Sequence, residues 1–386
     1  MLYPLSPRVD PRPLARAGLC AALLMLGLGA DAAQPRTPQE RHRLQVQQAL
    51  RRAEADTPTY GARADVRAYA AELVARYPEL PLDWVEAQLA QARLLPSVQR
   101  LIMPAPLGAP KDWSAYRARF IEPKRLQAGL EFWRDNERWL RAAEAHWGVP
   151  ARVIVGIVGV ETFYGRITGN TRLIDALATL SFDFPSGRSD KSPYFREELG
   201  HLLLLARRQN MDLQTLRGSY AGAVGWPQFM PGSWLKYGFD FDDDGRVDLQ
   251  NSLADVIGSV AHYLNQHGWQ RDMPTHYRVT PPPDAEQRAR LLVPDIRPSF
   301  TAAELLEAGA TLPPEGQLHA DLLALVKLDN GGNPPSYIAG TQNFWTVTRY
   351  NHSSYYALAV IELGEAVAAL REAESRPAAD KAATPQ

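Results

Sequence analysis

The strongest constraint on the fold lies between Pro150 and Gly165, where the sequence reads Val153-Ile154-Val155-Gly156-Ile157-Val158-Gly159-Val160-Glu161-Thr162-Phe163-Tyr164. Pro150 suits the start of a helix, because its fixed φ and missing N–H are harmless there. The helix that follows is apolar on every side, so it has to be buried in a protein that surrounds it. Gly156 and Gly159 each cost such a helix about 1 kcal/mol relative to Ala, which close approach of a neighbouring backbone would justify. Glu161 arrives at the end of this run. Loss of water there disfavours the charged carboxylate and raises its pKa, the condition a general acid needs near neutral pH. A structural role also stands at this point: an ion pair with Arg166 or Arg172, or a solvated helix end.

Helical spacing recurs on both sides. Val66, Tyr69, Ala70, Leu73 and Val74 predict a helix from Ala62 that Pro78 stops, and a second over 82–94 ends at Pro96. Residues 123–146 carry Leu126, Leu130, Trp133, Leu140 and Ala143 at helical steps, and 355–374 predict a further helix. Residues 271–345 differ in character. Pro281-Pro282-Pro283, Pro294, Pro298, Pro313-Pro314 and Pro334-Pro335 punctuate them, in a chain with 31 prolines among 386 residues. Short apolar runs at 319–328 and 344–348 predict strands, making this a small β-containing region.

At the N-terminus, Arg8, Arg12 and Arg16 precede an apolar run over 17–30, then Ala30-Asp31-Ala32-Ala33 and a polar stretch from Gln34. This is the build of a cleaved secretory signal over 1–33, and it predicts a periplasmic protein. At about 14 residues the run is short for a membrane span, though an uncleaved anchor is the alternative. Cys20, the only cysteine, lies inside the run and not after it, so lipid attachment is not expected. The mature chain would then have no thiol for disulfides or catalysis. Residues 34–58 read as a linker merging into a solvated helix, 104–110 as a proline-rich connection, and 375–386 as a disordered tail. A net charge of -1 gives no basis for nucleic-acid binding, and no stable membrane insertion of the mature chain is expected.

Three other segments could carry chemistry. In Gly218-Ser219-Tyr220-Ala221-Gly222-Ala223-Val224-Gly225-Trp226-Pro227-Gln228-Phe229-Met230-Pro231, glycines let the backbone run close to a ligand while Ser219 and Gln228 supply neutral polar groups. A tight packing loop is the other reading. Asp240, Asp242 and Asp244 with Gly245 match the first half of a calcium loop, but its twelfth position is Asn251 in place of a bidentate Glu. Asp255 could replace that ligand, Arg246 would offer only its carbonyl, and an Asp-rich turn is the alternative. Arg349-Tyr350-Asn351-His352-Ser353-Ser354-Tyr355-Tyr356 gathers polar and aromatic groups before a helix, with Asn351 or Ser353 as its cap. HExxH, paired CxxC, GxSxG and phosphate-loop patterns are absent.

Taken in order, these segments resemble the membrane-bound lytic transglycosylase B family of peptidoglycan-cleaving enzymes. The matching runs are 153–162, Asp-Ala-Leu-Ala-Thr-Leu-Ser-Phe (175–182), 218–223, Gln-Phe-Met-Pro (228–231), Ile-Gly-Ser-Val-Ala (257–261) and Thr-Arg-Tyr-Asn-His-Ser (348–353). The likeness runs from about 62 to 371. The resemblance implies a mainly α (α+β) fold: a helical region over 59–150, a lysozyme-like helical core over 151–270, the β-containing region over 271–345, and a return to the core over 346–374. It implies Glu161 as the catalytic residue, with Ser219, Gln228, Tyr263, Tyr350, Asn351 and Tyr356 binding substrate. It also implies a metal loop of Asp240, Asp242, Asp244, the Arg246 carbonyl and Asp255, holding structural calcium or sodium, with no cofactor for the chemistry. Four features depart from the family pattern, one being the missing lipid-attachment cysteine, which makes a soluble member the expectation. The stretch between Asp248 and Asp255 is one residue longer, Trp226-Pro227 replaces Tyr-Gly, and Phe163-Tyr164 stands where Arg-Trp is common.

Hydrolytic glycosidases of the usual kind set two carboxyls across the scissile bond, whereas Ser219, Gln228 and Asn351, which the resemblance sets beside Glu161, are neutral. The expected reaction is therefore intramolecular: cleavage between N-acetylmuramic acid and N-acetylglucosamine with closure of a 1,6-anhydro ring. The expected partner is the peptidoglycan glycan strand, met by a monomer. Two alternatives remain at this point: a hydrolytic muramidase using Asp175 or Asp183 as second carboxylate, and a non-catalytic peptidoglycan-binding protein.

Overall fold

The structure, a computed structural model, describes residues 58–103 and 111–375. The signal over 1–33, nearly all of the 34–58 linker, the 104–110 connection and the tail beyond 375 lie outside the described residues.

The chain is mainly α. Helices α1 (Ala64–Arg76), α2 (Leu82–Ala90), α3 (Pro96–Leu101), α4 (Trp113–Ala118), α5 (Pro123–Asp135) and α6 (Glu137–Trp147) lead to the apolar helix α7 (Ala151–Thr162). Then come β1 (Thr171–Arg172), α8 (Leu173–Phe182), α9 (Ser192–Arg208), β2 (Arg217–Gly218), α10 (Pro231–Tyr237) and α11 (Leu253–Gln266). The β-containing region holds β3 (His276–Arg278), α12 (Ala285–Leu292), α13 (Ala302–Glu307), α14 (Pro314–Gln317), β4 (Ala324–Asn330) and β5 (Asn333–Gly340). Helices α15 (Gln342–Thr348) and α16 (Ser354–Ser375) close the chain. Among the described residues no helix is long and apolar enough to cross a membrane.

Helix α7 is buried apart from an exposed Arg152 and the half-buried Val160 and Glu161, and its largest partner is α16. The glycines explain how near they come. A Cβ on Gly156 would lie 2.1 Å from the Val360 carbonyl oxygen, and one on Gly364 would lie 2.0 Å from that of Arg152. The two pairs run in opposite order along the chain, so the helices are antiparallel and touch backbone to backbone.

Several elements differ from the sequence expectation, each for a local reason. The predicted helix over 123–146 is two helices, broken at Asn136. The Asn136 side-chain amide donates to the Phe132 carbonyl over 2.9 Å, so the side chain competes with the helix ladder. Helix α2 stops at Ala90, not at 94, because the next residues are drawn elsewhere. Arg93 N donates to Asp175 Oδ1 (2.9 Å), Leu94 N to the Pro58 carbonyl (3.1 Å) and Leu95 N to Thr179 Oγ1 (2.9 Å). Pro96 then opens α3 where it was expected only to end α2.

In the β region, 344–348 is helical. Thr341 caps α15, its hydroxyl accepting from Asn343 N over 3.1 Å. The predicted strand over 319–328 begins only at Ala324, and its partner is β5, which contains Pro334 and Pro335. Those prolines are tolerated because β3 pairs only with residues 338–340 of β5 and the β4 register shifts between Leu328 and Asn330, so no ladder N–H is demanded of them. The sheet order is β3-β5-β4, all antiparallel. Strand alternation divides β4 between two cores. Ala324, Val326 and Leu328 join the main core, while Leu325 joins a smaller one with Leu291, Leu305 and Leu312.

Candidate active site

Glu161 sits in the last turn of α7, and the chain then turns sharply. Phe163, Tyr164 and Gly165 follow with φ of 52°, 54° and 77°. Two successive side-chain-bearing residues in the left-handed region cost roughly 1–2 kcal/mol each, so the surroundings must hold them there. Phe163 N and Tyr164 N donate to the Gly159 and Val158 carbonyls over 3.2 and 3.3 Å. The Phe163 ring carries the guanidinium of Arg125 at 4.4 Å and that of Arg166 at 5.0 Å. Tyr164 is buried, packed on Gly129 and Gly159.

The Glu161 residue is half-buried and its Oε1 accepts a hydrogen bond from the Tyr356 hydroxyl over 2.5 Å. Burial pushes its pKa up from 4.5 to about 7, and the Tyr356 bond pulls in the opposite direction. Neither candidate arginine pairs with it. Arg166 lies 3.7 Å from Glu131, and Arg172 grips Asp175 at 2.7 Å. The two candidates for a hydrolase's second carboxylate are likewise engaged elsewhere. Asp175 is buried against Arg172 and Arg93 N, and Asp183 accepts from the Tyr60 hydroxyl (2.7 Å) and from Arg63 (2.6 Å). Among the described residues, burial and the Tyr356 bond are what shift the proton affinity of Glu161.

Tyr356 is the first rung of an aromatic ladder. Its ring stacks on Tyr350 (centroids 6.2 Å, 15°), and Tyr350 meets Tyr263 at 4.9 Å. The Tyr350 hydroxyl donates to the Pro227 carbonyl (2.6 Å), and that of Tyr263 to the Arg349 carbonyl (2.7 Å). Burial first, and then the Glu161 charge, hold the hydroxyls of Tyr350 and Tyr356 protonated far above the ordinary tyrosine range. Ser353, not Asn351, caps α16, with Oγ accepting from Tyr356 N over 3.3 Å. Asn351 is exposed.

The glycine-rich loop reaches this site through its 226–228 end. The Thr162 hydroxyl donates to the Trp226 carbonyl, and Tyr350 to that of Pro227. Gln228 has φ of 50° and its amide donates to the Thr168 and Gly225 carbonyls (3.1 and 2.9 Å). Ser219 lies at the other end of the loop, its Oγ accepting from Ala223 N over 3.0 Å.

One neighbour of Glu161 escaped the sequence reading. Tyr116 on α4 is half-buried, and the Glu161 charge adds to burial in raising its pKa. Trp113, Phe120 and Tyr355 pack around it with ring centroids 5.2 to 6.3 Å away. The available signal was Trp113-Tyr116-Phe120, an i, i+3, i+7 aromatic stripe behind the Asp112 cap.

The acidic loop brings Asp240, Asp242 and Asp244 together, with one oxygen of each within 4.8 Å of the others. Gly245 makes the turn with φ of 93°. Three clustered hard carboxylate oxygens fit a hard cation such as calcium. Arg246 directs its backbone N to Asp244 Oδ1 and leaves its guanidinium mostly exposed. Asp255 stands apart from the cluster. It is fully buried, and its two oxygens accept from Phe241 N (2.9 Å) and Asp248 N (2.7 Å), tying together the two flanks of the loop. Burial raises its pKa, as does the charge of Asp242 and Asp240 nearby.

Residues 63–365 match a family model described as a transglycosylase SLT domain. The chain is similar to membrane-bound lytic murein transglycosylase B of Escherichia coli (strain K12), 40% identical over 291 residues that cover 73% of this chain and 77% of that protein. Among solved structures it resembles the Escherichia coli lytic transglycosylase SLT35 in complex with calcium, with TM-score 0.71, 38% identity, and coverage of 81% of this chain and 95% of that one. It also resembles the catenated lytic transglycosylase SltB1 from Pseudomonas aeruginosa, with TM-score 0.74, 36% identity, and coverage of 81% and 99%.

Proposed function

Since the chain belongs to the transglycosylase SLT-domain family, with a lysozyme-like fold and lytic murein transglycosylase activity, we propose that Glu161 alone serves as both acid and base of that reaction. The observation that carries this reading is a desolvated carboxyl of pKa about 7, bonded to Tyr356, while Asp175 and Asp183 are held by Arg172 and Arg63. Protonated, Glu161 gives its proton to the glycosidic oxygen between N-acetylmuramic acid and N-acetylglucosamine as the C–O bond breaks. The muramyl N-acetyl oxygen assists at the anomeric carbon. The Glu161 carboxylate then removes the proton from the C6 hydroxyl of the same sugar, whose oxygen closes the 1,6-anhydro ring and restores the acid. The nucleophile is already attached to the electrophile, so proximity replaces a bound water.

Tyr356 steadies the carboxylate between the two proton transfers, and Tyr350 and Tyr263 extend an apolar face with fixed hydroxyls along which sugar rings can lie. Ser219, Gln228 and Asn351 are assigned to orienting the N-acetyl and hydroxyl groups of the substrate. Asp240, Asp242, Asp244 and the Arg246 carbonyl would hold a structural calcium, which supplies no chemistry to the reaction; Asp255 braces the loop behind them. The proposed setting is the periplasm, where a monomer meets peptidoglycan strands.

Mass spectrometry of digested glycan strands tests the proposal. Fragments ending in 1,6-anhydro-muramic acid are expected, and Glu161→Gln should release none. Reducing muramic acid ends in place of anhydro ends would overturn it.

A further inference from the structure

Thr162, next to the acid, is fully buried, and its hydroxyl has three partners, the longest being the Val158 carbonyl one turn back at 3.3 Å. The hydroxyl donates to the Trp226 carbonyl over 3.0 Å and accepts from Gly165 N over 3.0 Å. Trp226 in turn spends both its donors on the exit of the acidic loop. Its backbone N donates to the Leu249 carbonyl and its indole Nε1 to that of Gln250, each over 3.0 Å. The indole ring lies against Gly165, where a Cβ would come within 2.4 Å of it. The loop exit is itself anchored, since Asp248 Oδ1 accepts from Gln250 N (2.9 Å) and Asp248 N donates to Asp255 (2.7 Å). Beyond Glu161 the backbone passes through three left-handed residues, which a regular helix ladder does not maintain.

We propose that Thr162 and Trp226 form a positioning clamp, which fixes the last turn of α7 to the exit of the acidic loop and so aims the Glu161 carboxyl at Tyr356 and the substrate. Neither residue touches the reacting atoms. Thr162 acts through the backbone one residue from Glu161, and Trp226 acts through Thr162 and Gly165. The inference rests on Glu161 being the acid. It adds that this acid is held in register by a loop more than 80 positions away in sequence, through the Trp that departs from the family's Tyr at this place.

The test uses the full enzyme with Thr162→Val, Thr162→Ser and Trp226→Phe, measuring kcat, KM, the alkaline limb of the pH–rate profile and the thermal midpoint on soluble glycan strands. Thr162→Val is expected to lower kcat about tenfold with KM within about twofold, because a small misdirection of a catalytic group acts on the chemical step. The alkaline limb moves with it, since the carboxyl changes its relation to Tyr356. Thr162→Ser restores both. Trp226→Phe keeps the ring on Gly165 and loses the bond to Gln250, with a smaller fall in kcat, about threefold, and the same movement of the limb. A lower thermal midpoint with the parent's kcat and pH profile in Thr162→Val would reduce the contact to packing and sink the clamp. Should Thr162→Val not fold, a Trp226→Phe enzyme with parental kcat and profile sinks it equally. Anhydro ends released by Glu161→Gln would instead overturn the assignment of the acid, a separate outcome.

Discussion

Glu161→Gln is expected to make the protein more stable, by an amount that depends on pH in a fixed way. Unfolded, the carboxyl titrates near its ordinary 4.5; folded, burial holds the proton until about 7. Between those values the native state binds more protons than the unfolded state, so native stability falls as pH rises. Below 4.5 both states are protonated and nothing is lost; above 7 the full penalty is present. At 1.36 kcal/mol per pH unit, the interval from 4.5 to about 7 amounts to about 3 kcal/mol. A glutamine cannot ionise, and its carbonyl oxygen can still accept from Tyr356. Urea denaturation of parent and variant from pH 4 to pH 8.5 reads the effect directly. The stability difference should start near zero, grow by about 1.4 kcal/mol per pH unit and level off near 7. All other titrating groups are shared and cancel. Parallel curves with no pH dependence would mean that Glu161 is solvated as an ordinary carboxyl, and the reasoning from burial would be refuted.

Tyr356→Phe removes the one interaction that lowers the Glu161 pKa, so the alkaline limb of activity should move upward by about one to two pH units, read from a pH–rate profile. Gly156→Ala sets a methyl 2.1 Å from the Val360 carbonyl and should destabilise by about 3 kcal/mol in denaturant titration; a loss near zero would contradict the backbone contact. Calcium at a hundredfold excess over its Kd should stabilise the protein by about 2.7 kcal/mol, measured as a chelator-sensitive thermal shift. Asp242→Asn should diminish that shift, and an unchanged midpoint with chelator would leave the three aspartates as a turn.

The central helix was legible because its hydrophobicity leaves no other location: a run from Val153 to Val160 with two glycines can only be enclosed. Helices such as α1 and α16 were legible from apolar residues at three- and four-residue steps. What escaped were features decided by single side chains or distant partners. Asn136 breaks an otherwise continuous periodicity with one amide hydrogen bond. Pro334 and Pro335 hide a strand, since only the limited reach of β3 and the shifted β4 register excuse them. Thr341 turns an apparent strand into a capped helix. At the site, Glu161 could be picked out by its neighbours in sequence, whereas its contact with Tyr356 spans 195 residues and its proximity to Tyr116 crosses from another helix. No local pattern encodes either. Asp255 was read from the sequence as the last metal ligand, and no spacing indicated that its two oxygens accept from Phe241 N and Asp248 N.

The antiparallel contact between α7 and α16 also makes activity conditional on a long-range contact. Glu161 and Tyr356 lie 195 residues apart in sequence, one at the end of α7 and the other near the start of α16. The long loop that joins them must close before either helix gains from the other. Until then the glycine face of α7 is open to water and Glu161 lacks its partner, so the carboxyl cannot yet behave as the tuned acid of the finished fold. Activity thus depends on the docking of the two helices and not on α7 alone. A chain that cuts a structural polymer is armed in this way only by its own tertiary fold.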